Sequence, residues 1–118
     1  MIKRFFLLTV LFSVLGNVII AQDRLINKAD EKYQDYSFSP AIDIYKRVLD
    51  KGYTSADLLM KLGNSYYFNA EYKEASDIYK RLLNEYKEGI GPEYYFRYAQ
   101  TLRSLGEYDM SKDVMAEF

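Results

Sequence analysis

The chain has 118 residues, enough for one domain, and its formal net charge of −1 provides no basic footprint for nucleic acid. It contains neither histidine nor cysteine, which removes the imidazole base, the thiolate nucleophile, the disulfide, and the nitrogen and sulfur ligands that zinc prefers. Its 13 tyrosines and 7 phenylalanines point instead to packed or binding surfaces.

The first predicted element is a leader. Lys3 and Arg4 precede the apolar run FFLLTVLFSVLGNVIIA, residues 5–21, which has the charged-then-hydrophobic order of a secretory signal peptide, with Ala21 as the last residue before a cut. As a helix rising ~1.5 Å per residue, that run falls short of a ~30 Å hydrocarbon core, so a signal peptide over 1–21 is favoured over a retained anchor. Contact with a membrane is expected only through this segment, if it stays attached. No cysteine follows it, which closes the lipoprotein route, and every tyrosine lies after residue 22.

Residues 22–118 read as one domain of three repeated units, about 22–53, 54–89 and 90–118, the last cut short. The first carries Leu25, Ala29, Phe38, Ala41, Tyr45 and Val48, with Pro40 behind Ser39 at a helix start and Gly52 at a helix end. Thirty-four positions later stand Leu59, Gly63, Tyr72, Ala75, Tyr79 and Leu82, introduced by the capping-box pattern Thr54 to Asp57. A further shift of 36 reaches Tyr95, Ala99, Tyr108, Ser111, Met115 and Phe118, with Pro92 behind Gly91 and a stop at Gly106. Within a unit the period is helical: Leu59, Leu62, Gly63, Tyr66 and Tyr67 run i, i+3, i+4, i+7, i+8, and Tyr72, Ala75, Tyr79, Leu82 and Leu83 renew the stripe after a break. Each unit is therefore two amphipathic helices around a tight turn. Lys73, Asp77 and Arg81 fall on the opposite face as a solvated surface.

Leu59, Leu62-Gly63, Tyr66, Ala75 and Tyr79, in a unit of about 34 residues, resemble the tetratricopeptide repeat. That resemblance implies an all-α fold, a right-handed superhelical stack of helix pairs following the signal peptide. Lys28 and Lys32, where Leu62 and Tyr66 stand in the second unit, suit a capping unit with a wet outer face. The stretches KADEKYQDYSFSPAIDIYKRVLDKGY, KLGNSYYFNAEYKEASDIYKRL and PEYYFRYAQTLRSLGEYDMS are similar to the N-terminal tetratricopeptide region of OmpA-family envelope proteins. In those proteins a WD40-like propeller and an OmpA-like peptidoglycan-binding domain follow, and some are linked to type IX secretion or gliding. The resemblance implies an exported, non-enzymatic scaffold in the periplasm or at the periplasmic face of the outer membrane, with protein partners in the cell envelope. The structural alternative is the N-terminal fragment of an OmpA-like, peptidoglycan-associated protein, whose anchoring residues would lie beyond Phe118.

No catalytic, cofactor or metal site is expected. GIGP at residues 89–92 lacks the lysine and preceding strand of a phosphate loop. Asp30 with Glu31, or Glu85 with Glu88, would be the pairs of a carboxylate-dependent enzyme, the remote alternative, but they fall on solvated faces rather than across a cleft. Tyr45, Tyr66, Tyr72, Tyr79, Tyr95 and Tyr108 take core positions in the stripes. By the family's architecture the first helix of each unit lines a concave groove, here carrying Asp30, Tyr33, Met60, Asn64, Tyr67, Phe68, Phe96, Gln100 and Arg103. Aromatics and arginine around polar anchors are enriched in binding surfaces. The carboxylate clamp of chaperone-binding members is not matched: its places hold Ile26, Asp30, Asn64 and Glu93 with Arg97, so a chaperone-tail receptor is disfavoured.

Ala29 with Ala41, Gly63 with Ala75 and Ala99 with Ser111 mark where paired helices approach closely, and the expectation is that Gly63→Ala is tolerated and Gly63→Leu is not. Met110, Val114, Met115 and Phe118 should form an apolar face at the end of the stack, able to pair with another chain.

Overall fold

Three times the chain builds a helix, a tight turn and a second helix. The structure, a computed structural model, describes the backbone of residues 2–117 and the side chains of residues 16–117. The first pair is α1 (Ile2–Gln34) and α2 (Phe38–Asp50), the second α3 (Ala56–Phe68) and α4 (Tyr72–Glu85), the third α5 (Pro92–Ser104) and α6 (Tyr108–Ala116). Most of the expected signal segment, residues 1–21, lies outside the residues whose side chains are described. At its end Val18, Ile19 and Ile20 stand exposed, off the core. Among the described residues no helix is long and apolar enough to cross a membrane.

The turn inside each unit is the same object at the same register. The backbone N–H of Ser37 donates to Lys32 O at 2.8 Å, that of Glu71 to Tyr66 O at 2.9 Å, and that of Glu107 to Leu102 O at 2.8 Å. Each six-residue bond closes over one residue in the left-handed region: Tyr36 (φ 60°), Ala70 (φ 59°) and Gly106 (φ 81°). Only Gly106 is the residue type such a position favours. Tyr36 and Ala70 hold it at roughly 1–2 kcal/mol each.

Two helix starts differ from expectation. Ser55, not Thr54, caps α3, its Oγ accepting from Leu58 N at 3.1 Å, so the capping pattern is displaced by one residue and Thr54 Oγ1 is left buried without a partner. Helix α2 begins at Phe38, with Pro40 inside its first turn, where a missing N–H leaves no intrahelical bond unmade. Gly91 and Pro92 open α5 as expected, and Gly52 (φ 92°) follows α2.

Packing runs in chain order, each helix against the next, so the three pairs form a stack with α1, α3 and α5 side by side on one layer. The seams are closed by Ala29, Ala41, Tyr45, Val48, Leu59, Leu62, Ala75, Tyr79 and Leu82, none of which meets water. Burying each large side chain contributes about 1.5–3 kcal/mol. Tyr45, Tyr66, Tyr79 and Tyr95 are buried, and Tyr72 is half-buried. Tyr108 is 63% exposed, contrary to its core assignment, because among the described residues no helix lies beyond α6 to cover it.

All six small residues are buried, and Gly63 is tighter than its periodicity implies. A Cβ there would stand 2.7 Å from Tyr79 Cε1 and 3.3 Å from Ile78 Cγ2, so even alanine meets the ring and the expected tolerance is withdrawn. In the third unit Ser111 Oγ donates to Ala99 O at 2.8 Å, tying α6 to α5. The expected terminal face is divided: Met110 borders a hollow against α4, Val114 packs on the core, and Met115 borders a different hollow against α5. Phe118 lies outside the described residues.

Candidate binding face of the inner helices

The inner helices α1, α3 and α5 are joined by a ladder of polar side chains. Lys61 Nζ lies 3.2 Å from Asp30 and 2.9 Å from Asp57, while Tyr45 Oη donates to the other oxygen of Asp30. One turn on, Asn64 Nδ2 donates to Tyr33 Oη at 3.1 Å, and Asn64 Oδ1 accepts from Tyr79 Oη at 2.8 Å and from Arg97 Nη1 at 3.0 Å. The last rung is Tyr67 Oη donating to Gln100 Oε1 at 2.6 Å. Asp30, Tyr33, Asn64, Tyr67 and Gln100 are thus brought together, but largely with one another. Asn64 is only 3% exposed, a tie between four helices rather than an anchor offered to a ligand.

What remains open on this face is aromatic and cationic. Phe68 is 49% exposed, stacked on Phe38 with ring centroids 5.3 Å apart. The Arg97 guanidinium lies 5.4 Å from the centre of the Phe68 ring and 5.6 Å from that of Tyr94, a cation held between two π faces. Phe96, 52% exposed, and the exposed Arg103 continue the surface along α5, whereas Met60 is half-buried against the core. Phe96, Gln100, Arg103, Tyr108, Lys112 and Met115 surround a hollow of about 550 Å³ over the buried Ala99 and Ser111.

Proton chemistry is poorly served here. Burial pushes the Tyr79 hydroxyl well above its ordinary range, Arg97 opposing only in part, and burial followed by the bond to Asp30 does the same for Tyr45. Burial also raises Tyr94, against the bond to Asn64. At Lys61 burial works against the charge, yet the bonds to Asp57 and Asp30 prevail and hold its pKa above the usual value. Every one of these shifts leads away from neutrality, where a general acid or base would need to sit. Among the described residues no three acidic side chains cluster closely enough to hold a metal ion. The arrangement presents apolar and aromatic groups beside a cation.

Arg97, Lys61 and Tyr94 are missing from the groove residues read from the sequence. The partners across this layer are 31 residues apart (Asp30 and Lys61, Tyr33 and Asn64) or 33 apart (Asn64 and Arg97, Tyr67 and Gln100). A slide by 34 or 36 aligns equivalent positions and passes over these offsets, which depend on how the helices are set against one another.

No protein-family model and no curated protein matches the chain. Among solved structures it is similar to PcrH in complex with the chaperone binding region of PopB, with a TM-score of 0.67 and 18% identity over 80% of this chain and 74% of that one. The fold is tetratricopeptide-like. At that identity the likeness concerns the fold, and the three helix pairs of the described residues, with turns closed at the same register, account for it.

Proposed function

We propose that this chain is a non-enzymatic protein-binding scaffold of the cell envelope, exported by its N-terminal segment, and that it takes a partner polypeptide on the inner layer of α1, α3 and α5. The observation that carries the reading is the exposed Phe68 between Phe38 and Arg97, on a layer whose ladder from Asp30 to Gln100 is already paired. A half-exposed ring with a cation on its face presents apolar area and charge at a fixed position, the character of a binding hot spot. PcrH, of the same fold, was solved with a bound region of another protein, which supports a polypeptide as the kind of ligand. Export rests on Lys3, Arg4 and the apolar run after them, supported by Val18, Ile19 and Ile20 standing off the repeat core. The envelope setting rests on the resemblance of the repeats to OmpA-family proteins.

A photo-crosslinking residue at position 68 tests the binding face, with one at Lys80 on the outer helix α4 as control. Adducts with one envelope protein from position 68 and none from position 80 are expected; adducts from position 80 alone overturn the assignment. N-terminal sequencing of the periplasmic form tests export independently, with Gln22 as the expected first residue.

A further inference from the structure

The hollow between α5 and α6 repeats, one unit on, a seat that is already occupied inside the molecule. Helix α5 sits on the second unit through polar and aromatic contacts. Arg97 donates to Asn64, Gln100 accepts from Tyr67, and Tyr94 and Tyr98 meet the Tyr79 ring with centroids 6.4 and 6.5 Å apart. Thirty-six positions later, Asn64, Tyr67 and Tyr79 become Gln100, Arg103 and Met115, all bordering the hollow of about 550 Å³. The seat is kept and its chemistry is changed.

We propose that this hollow docks an amphipathic helix of a partner protein carrying two aromatic or large apolar residues at i and i+4 and a carboxylate at i+6. The pair takes the places of Tyr94 and Tyr98 and meets Met115, whose thioether suits aromatic edges. The i+6 residue takes the place of Gln100 and faces Arg103 where Gln100 faces the Tyr67 hydroxyl. An amide acceptor suffices for a hydroxyl; a guanidinium calls for a carboxylate. Neither Arg103 nor Lys112, both at the rim, has an acidic side chain within salt-bridge distance among the described residues.

A second copy stacked head to tail is the other candidate, and its charges argue against it. The α1 residues 70 positions before Tyr94, Tyr98 and Gln100 are Arg24, Lys28 and Asp30; the first two are exposed, while Asp30 is half-buried and already held by Lys61 and Tyr45. A copy would bring to Arg103 a carboxylate that is already engaged, and would set two cations where the apolar pair must meet Met115. The hollow therefore fits a helix that carries both the apolar pair and an unengaged carboxylate.

The probe is a hydrocarbon-stapled peptide copying residues 92–104 with Gln100→Glu, compared with the same peptide carrying Gln100→Lys; stapling removes the weakness of short free helices. Fluorescence anisotropy against the full chain should show the Glu peptide binding at least tenfold more tightly than the Lys peptide. Arg103→Glu should reverse that order, and Met115→Asp should abolish binding of both. Equal affinities, or no binding by either peptide, overturn the proposal. Binding that survives Met115→Asp but is lost in Phe68→Glu also overturns it, placing the peptide on the inner layer. Sedimentation showing self-association that Met115→Asp abolishes would assign the hollow to a second copy instead.

Discussion

Replacing Gly63 by alanine adds one methyl group to the middle of α3 and sets two effects against each other. Helix propensity favours the change by about 0.8–1 kcal/mol. Sterics oppose it: the new Cβ would lie 2.7 Å from Tyr79 Cε1 and 2.9 Å from Cδ1, so the ring must withdraw about 0.7 Å to reach ordinary contact. Tyr79 has little freedom to do so. It is wholly buried, its hydroxyl is held by Asn64 at 2.8 Å, and the Tyr94 and Tyr98 rings bear on it from α5. Overpacking of that kind costs about 1–3 kcal/mol. The net expectation is a loss of about 1 kcal/mol, which lowers the Tm of a domain this size by roughly 4–8 °C. Thermal melts followed by far-UV circular dichroism measure it. In a Tyr79→Leu background, where the ring edge is gone, the same substitution should become neutral or stabilising, a coupling that a double-mutant cycle isolates. An unchanged or raised Tm for Gly63→Ala in the otherwise native chain would refute the reasoning.

Asn64→Leu removes the tie between four helices and strands the Tyr79 hydroxyl in the core; denaturant unfolding should show a loss of about 1–3 kcal/mol. Ala70→Gly relieves a left-handed residue at a turn and should stabilise by about 0.5–1 kcal/mol, read as a rise in Tm. Alkali should destabilise the fold. Tyr45 and Tyr79 are held neutral in the folded state, while in the unfolded chain they ionise near their ordinary value of 10.0, so above that pH the unfolded state binds fewer protons and stability falls. Their contribution is full below pH 10 and lost progressively above it, at up to ~1.4 kcal/mol per pH unit for each tyrosine, and Tyr79→Phe should flatten the profile of Tm against pH.

The helices were legible because each buries a single face, which writes a 3.6-residue period into Leu59, Leu62 and Tyr66 and into Ala75, Tyr79 and Leu82. The small residues marked the seams for the same reason: close approach permits nothing larger at Ala41 or Gly63. The register between units was not legible. Asp30 meets Lys61 and Asn64 meets Arg97 across helices whose relative height depends on how the whole stack packs, and no single period records it. That is why Asp30 and Asn64, expected among the groove residues, stand paired across helices, and why Arg97, noted only at a clamp place, was not counted with the groove. Turns showed a similar limit. Gly106 announces its left-handed backbone, whereas Tyr36 and Ala70 adopt the same conformation with nothing in their side chains to signal it.

The central claim is that the inner layer binds a polypeptide through Phe68, and it is tested most directly by titrating the captured envelope partner against three purified proteins. These are the native chain, Phe68→Glu on the inner face and Lys80→Glu on the outer. The account predicts equal affinity for the native chain and Lys80→Glu, and a loss of about tenfold or more for Phe68→Glu, the effect of burying a charge at a hot spot. Equal affinity across all three would contradict it.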